Sequence, residues 1–218
     1  MEYWTKSWGF SGIVGEWHLE VSGGRGDDME GRFSRLVEVL ERIVPLLKRL
    51  HQLQKARIDI SLLGEEIQTN GEIKEEAFFE DVELNATSLE DLVPALKQVI
   101  QLYPKGLITR VDIDLDTLVI EETGEIIFPK SAELYIGTDS YAQVGKEVDL
   151  YVSYSTFIDV WLEKTLSDGV LRDNSEPSNR NHPRLQEFLQ GLEKSLEGSL
   201  VVGESHYYTG SLQRTGFI

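Results

Sequence analysis

Cysteine is absent from the 218 residues, which excludes disulfide bonds and thiolate metal ligation. Histidine is scarce. His18, His51, His182 and His206 show neither H-x-H nor H-E-x-x-H spacing, so the sequence offers no histidine metal motif. No phosphate loop of the form G-x-x-x-x-G-K-[ST] exists, and Gly203-Glu204-Ser205-His206-Tyr207 lacks the second glycine of a serine nucleophile elbow. Gly23-Gly24-Arg25-Gly26 precedes a helix pattern, but Asp27 and Asp28 oppose an anion at its start. No apolar run approaches the roughly 18 residues of a membrane span. Met1-Glu2-Tyr3-Trp4-Thr5-Lys6-Ser7-Trp8 has neither the basic start nor the apolar stretch of a secretory leader. The cytoplasm is the expected compartment, with neither membrane nor cofactor expected.

Positive charge is also in deficit. Lysine and arginine number 21 against 38 aspartates and glutamates, a formal charge of −17. Binding to nucleic acid runs on Lys and Arg neutralising phosphate, so nucleic acid is not an expected partner. Attraction to a basic protein is favoured. The bases are concentrated: residues 32–57 carry seven of them against Glu38 and Glu41, for a local +5. A basic helix face packed on an acidic sheet or loop is the expected use.

What is present is alternation. Between Leu107 and Ile120, Leu107, Thr109, Val111, Ile113, Leu115, Thr117 and Val119 take one face, and Arg110, Asp112, Asp114 and Asp116 take the other. Successive strand side chains point to opposite sides, so this segment reads as a half-buried strand. Glu121 to Glu125 is a short hairpin loop with Gly124 at the left-handed position. The chain returns through Ile126-Ile127-Phe128, with Pro129 as an interruption, and resumes at Ala132 to Thr138. Glu147 to Thr156 alternates again, with Val148, Leu150, Val152 and Tyr154 opposite Asp149, Tyr151, Ser153 and Ser155. Short loops imply antiparallel pairing.

The other elements follow in chain order. Val14, Glu16, His18 and Glu20 alternate with Ile13, Gly15, Trp17, Leu19 and Val21 in a first strand. A helix capped by Asp27 or Asp28 carries an apolar stripe from Phe33 to Leu53 with Pro45 inside, which predicts a kink or two abutting helices. Strands are expected at Arg57 to Leu62 and at Phe78 to Leu84, the latter an edge by its acids. A hairpin is expected at Asn70-Gly71. Ser88-Leu89-Glu90-Asp91 opens a second helix. Phe157 to Leu166 fits strand or helix. Asp168 to His182 reads as an exposed polar loop, and Pro183 as the first residue of a last helix that Gly198 closes. Leu200-Val201-Val202 is a short strand, and the remaining tail shows no clear pattern.

The expected fold is α+β: a mostly antiparallel twisted sheet of about six to eight strands with about three helices on one face, as a single domain over residues 1–218. A chain of this length buries roughly 70% of its unfolded surface, enough for a core without staples.

Two chemistries compete for the aspartates. Asp112, Asp114 and Asp116 stand roughly 6.8 Å apart along one strand face. Paired carboxylates of this kind hold Mg²⁺ beside a phosphate in metal-dependent phosphoryl-transfer or hydrolytic enzymes, here with Asp112 and Asp114 as ligands and Asp116 or Asp149 in support. Arg110 on the same face offers neutralisation without a metal, and Lys105-Gly106-Leu107 stands where a Gly-Ser loop would be needed. The preferred expectation is a non-enzymatic protein that presents acidic surface to a basic partner, as a cytoplasmic immunity protein covers the basic active site of a toxin. That comparison is by class, not by residue match. The candidate contact residues are Asp112, Asp114, Asp116, Asp149 and Tyr151, with Trp8, Tyr207 and Tyr208 as aromatic anchors near the termini. A self-associating structural domain is a third possibility, and the oligomeric state is open.

Overall fold

The computed structural model describes residues 12–21, 29–63, 67–69, 72–74, 77–103, 106–138, 150–167, 170–206 and 212–217. In chain order these form β1 (Gly15–Val21), α1 (Met29–Leu47), β2 (His51–Leu63), β3 (Ile67–Thr69), β4 (Glu72–Lys74), β5 (Ala77–Glu83), α2 (Leu92–Leu102), β6 (Gly106–Glu121), β7 (Gly124–Thr138), β8 (Leu150–Thr156), β9 (Lys164–Ser167), β10 (Val170–Asp173), α3 (Ser175–Leu196), β11 (Val201–Val202), β12 (Leu212–Gln213) and β13 (Gly216–Phe217). Seven strands make one antiparallel sheet in the order β11-β1-β8-β7-β6-β2-β5, and the rest pair as three small hairpins. The three helices pack on one face of the sheet, so the α+β architecture is as the alternation predicted.

Cross-strand register turns alternation along each strand into rows across the sheet. Ala56, Ile113, Leu134, Tyr154 and Trp17 form one row, and Ile58, Val111, Ile136, Val152 and Leu19 form the next. All ten are at most 2% exposed. Leu36, Leu40, Ile43 and Leu47 of α1, Leu92 and Leu96 of α2, and Leu185, Phe188, Leu189 and Leu192 of α3 complete the same apolar cluster. At about 1.5–3 kcal/mol for each fully buried large side chain, this layer is the main driving force for folding.

Several expectations are corrected. The apolar stripe does not stay helical to Leu53. Helix α1 ends at Leu47, Leu50 is buried in the turn, and Leu53 already belongs to β2. Both elements face the same core, so a single apolar rhythm runs across the boundary. Pro45 sits in the last turn of α1, so the one helical hydrogen bond it removes lies at the end of the helix. Strand β7 runs unbroken through Pro129, and the irregularity there is taken up by a register shift opposite Leu115–Thr117 and by positive φ at Lys130.

The supposed loop before Pro183 is helix: α3 begins at Ser175 and carries Pro183 inside. Two of its polar residues, Ser178 and Asn181, are buried with partners. Ser178 donates to the Trp161 carbonyl at 2.8 Å, and Asn181 Oδ1 accepts from the Ile120 amide at 2.8 Å. The segment of uncertain type resolves into a bridge at Ile158, a turn, and β9. The tail contains the β12–β13 hairpin, whose Phe217 meets Trp17 edge-on at 5.5 Å. The basic stretch is not one helix face. Arg35 and Arg42 pair with Glu38 inside α1, whereas Lys55 and Arg57 lie on β2.

Other expectations hold. Gly124 takes φ +133° at the β6–β7 turn, and β5 is an edge strand. Strands β3 and β4 pair antiparallel, while Asn70 and Gly71 between them lie outside the described residues. Among the described residues, no helix is long and apolar enough to cross a membrane.

Candidate functional site

The rows that alternate with the core rows are polar and lie on the sheet face opposite the helices. The first runs Lys55, Asp114, Glu133, Ser155, Glu16 across β2, β6, β7, β8 and β1. The second runs Arg57, Asp112, Tyr135, Ser153, His18, and the third runs Asp59, Arg110, Gly137, Tyr151, Glu20. On β5, Glu83 and Asp81 extend the second and third rows.

Charge divides this face in two. Every Lys and Arg of the three rows is on β2 or β6, where it is paired. Lys55 reaches Glu83 at 2.5 Å, Arg110 holds Asp112 at 2.7 Å, and Arg57 approaches Asp114 at 3.9 Å. The Asp112 carboxylate raises the Arg110 guanidinium above its usual range. Burial raises Asp59, reinforced by the neighbouring Asp112 and Asp81 charges. Strands β7, β8 and β1 contribute Glu133, Glu16 and Glu20 to the rows and no Lys or Arg, with His18 as the one nitrogen base.

The acidic half contains a depression of about 280 Å³. Its aromatic wall is Tyr135 and Tyr151, edge to face at 6.0 Å, with the His18 ring stacked on Tyr151 at 5.2 Å. Ile13 and Phe157 are also part of the lining. The Tyr135 ring lies over Gly137: a Cβ built at position 137 would fall inside the van der Waals envelope of the Tyr135 hydroxyl and ring. A glycine covered by a neighbouring ring is a known stabilising device of sheets. Here it sets the tilt of one wall. The Arg110 guanidinium lies 5.0 Å from the Tyr135 ring centroid.

The polar network is directional. The Tyr151 hydroxyl hydrogen-bonds His18 Nδ1, and His18 Nε2 lies 3.2 Å from Glu16 Oε2. Burial, helped by the Glu16 charge, pushes the Tyr151 hydroxyl up to about 12. It therefore stays protonated at neutral pH, and Tyr151, His18 and Glu16 form one continuous chain of hydrogen-bonding groups. Ser153 and Ser155 donate to Glu16 Oε1 at 3.3 and 3.4 Å, drawing that carboxylate over β8. Gly203 approaches so closely that a Cβ there would collide with His18 Nε2 and Glu16 Oε2. Glu133 is different: among the described residues its carboxylate has neither hydrogen bond nor ion pair. Burial first, then Asp112 and Asp114, raise its pKa.

Of the sequence-derived candidates, Asp112, Asp114 and Asp116 share the open face, but on its base-bearing half. Asp112 is occupied by Arg110, and Asp116 accepts the Lys130 amide at 2.9 Å. No group of three His, Cys, Asp or Glu side chains set to hold a metal occurs among the described residues. Tyr151 sits in the depression. Asp149, Trp8, Tyr207 and Tyr208 lie outside the described residues. Glu16, His18, Glu133, Tyr135 and Ser153 were not singled out as site residues. Their signal was the polar half of the β1, β7 and β8 alternation, unreadable as a site until the strand order is known. Comparison with protein-family models, with curated proteins and with solved structures gives no significant match.

Proposed function

We propose that the chain is a non-enzymatic, single-domain protein-binding module whose open sheet face docks a basic protein. Its mode would be that of a cytoplasmic immunity protein masking a basic active site. The segregation of charge carries this reading. The bases of the face are already paired on β2 and β6, so they do not neutralise Glu133, Glu16 and Glu20 on β7, β8 and β1. The protein's charge of −17 adds long-range attraction for a cationic partner. Aromatic side chains within a polar rim are the usual composition of an interface centre.

The test compares the wild-type chain with a Glu16→Lys/Glu133→Lys variant as bait in native lysate. The wild type should retain a basic protein that is released by about 0.5 M salt, where screening is severe, and the variant should not. Equal retention by both, or retention indifferent to salt, would contradict the reading.

A further inference from the structure

We propose that the depression between β7, β8 and β1 receives one arginine side chain of the docked partner, its guanidinium bridging Glu133 and Glu16 within a wall of Tyr135 and Tyr151. This rests on the docking reading above and specifies its anchor.

The size fits one side chain. A depression of about 280 Å³ falls just below the roughly 300–1,000 Å³ of pockets that enclose whole small molecules. The spacing suits a planar cation. Glu133 and Glu16 occupy the same row, separated by Ser155 on the strand between them. Two strand spacings place their backbones roughly 9–10 Å apart. Both side chains line the cavity, which leaves room between the carboxylates for a group that donates from two edges. A guanidinium does so, whereas an ammonium is a compact point charge that pairs well with only one of them at a time. The Ser153 and Ser155 contacts with Glu16 are long for hydroxyl donors, at 3.3 and 3.4 Å, so a charge-assisted donor readily displaces them.

The free carboxylate supports the same ligand. Glu133 is partly buried beside Asp112 and Asp114; Arg110 and Arg57 offset part of that repulsion through space, but among the described residues no cation contacts its carboxylate. An incoming cation supplies one. The ring chemistry agrees as well: Arg110 already places a guanidinium over Tyr135, and an incoming one meets the same kind of aromatic lining in Tyr135 and Tyr151.

The experiment titrates the full chain with N-acetyl-arginine amide, N-acetyl-citrulline amide and N-acetyl-lysine amide, following the Tyr135 and Tyr151 ring resonances by NMR. The arginine probe should give a saturable shift in the millimolar range. Citrulline, its neutral isostere, should give none, and lysine should bind at least about threefold more weakly. Glu133→Gln should weaken arginine binding by about fivefold or more, with its amide spectrum confirming the fold, while Glu121→Gln should change nothing. An absent or non-saturable shift, an equal response to citrulline or lysine, or full binding by Glu133→Gln would overturn the proposal. Arginine binding without capture of a basic protein would retain the pocket and remove the docking reading. Capture undiminished in Glu133→Gln would do the reverse.

Discussion

The Tyr154 hydroxyl meets His51 Nε2 at 3.1 Å in the sealed centre of the protein, with Phe188 edge-on to both rings. Burial keeps Tyr154 protonated as the donor and pushes His51 down to about 3. His51 is thus neutral when folded and protonates near pH 6.5 when unfolded. Between these values the unfolded chain binds the extra proton. The stability His51 permits is therefore complete above pH 6.5 and is lost as pH falls toward 3, by about 1.4 kcal/mol per pH unit. His182, also lowered by burial, acts in the same direction. Urea midpoints at pH 7, 6 and 5 should fall steadily for the wild type and less steeply for His51→Gln. Parallel slopes in the two proteins would remove His51 from the account.

Arg110 and Asp112 make the second linked pair. The Asp112 side chain is 8% exposed and its guanidinium partner 44%. Removing the arginine strands a carboxylate that water barely reaches, whereas removing the carboxylate leaves an arginine that water can solvate. Arg110→Gln should cost about 1–3 kcal/mol, toward the lower end because Arg110 is itself accessible. Asp112→Asn should cost less. Equilibrium unfolding at pH 7 measures both, and the reverse order would mean that Asp112 is not held by this contact.

Glu133 offers the opposite sign. Its pKa is raised by burial and by Asp112 and Asp114, so the folded state holds this proton more tightly than the unfolded one. Ionisation then opposes folding, and the penalty grows as pH rises from the usual carboxylate range through the raised value. Glu133→Gln should melt a few degrees above the wild type at pH 7 and close to it at pH 4, measured by circular dichroism. A binding residue that destabilises its own free protein is the expected trade between function and stability. A lower melting temperature for this variant at pH 7 would show that Glu133 is already satisfied.

The layered fold was legible because β6 alternates cleanly from Val111 to Thr117 and every helix has one apolar stripe, although across the register shift at Asp59–Ile60 it is Ile108, not Leu107 or Thr109, that reaches the core. The Arg110–Asp112 pairing was legible too, since alternate residues of one strand share a face. Two boundaries were not. Leu50 and Leu53 continue the rhythm of α1 while belonging to the turn and the next strand, and the buried Ser178 and Asn181 of α3 read as loop because their hydrogen-bond partners, the Trp161 carbonyl and the Ile120 amide, are remote in sequence. The site was the least legible part. Glu16 and Glu133 share a row only because β1 pairs with β8 and β8 with β7. Alternation assigns a residue to a face, but strand order decides which residues of that face become neighbours.

Two glycines separate backbone need from side-chain need, and they yield the sharpest test of the aromatic wall. Gly124 has φ +133° with nothing within 4 Å of a Cβ, so Gly124→Ala strains only the turn, by about 1 kcal/mol. Gly137 sits in the sheet beneath the Tyr135 ring, where a methyl group collides with that ring. Gly137→Ala must swing Tyr135 away from its edge-to-face contact with Tyr151 and from Arg110. A stability loss of about 1–3 kcal/mol is expected from the crowding. Arginine-amide affinity should fall severalfold in Gly137→Ala and stay at the wild-type value in Gly124→Ala, because only the first moves a wall of the depression. If the two variants bind the probe alike, Tyr135 has no part in holding it.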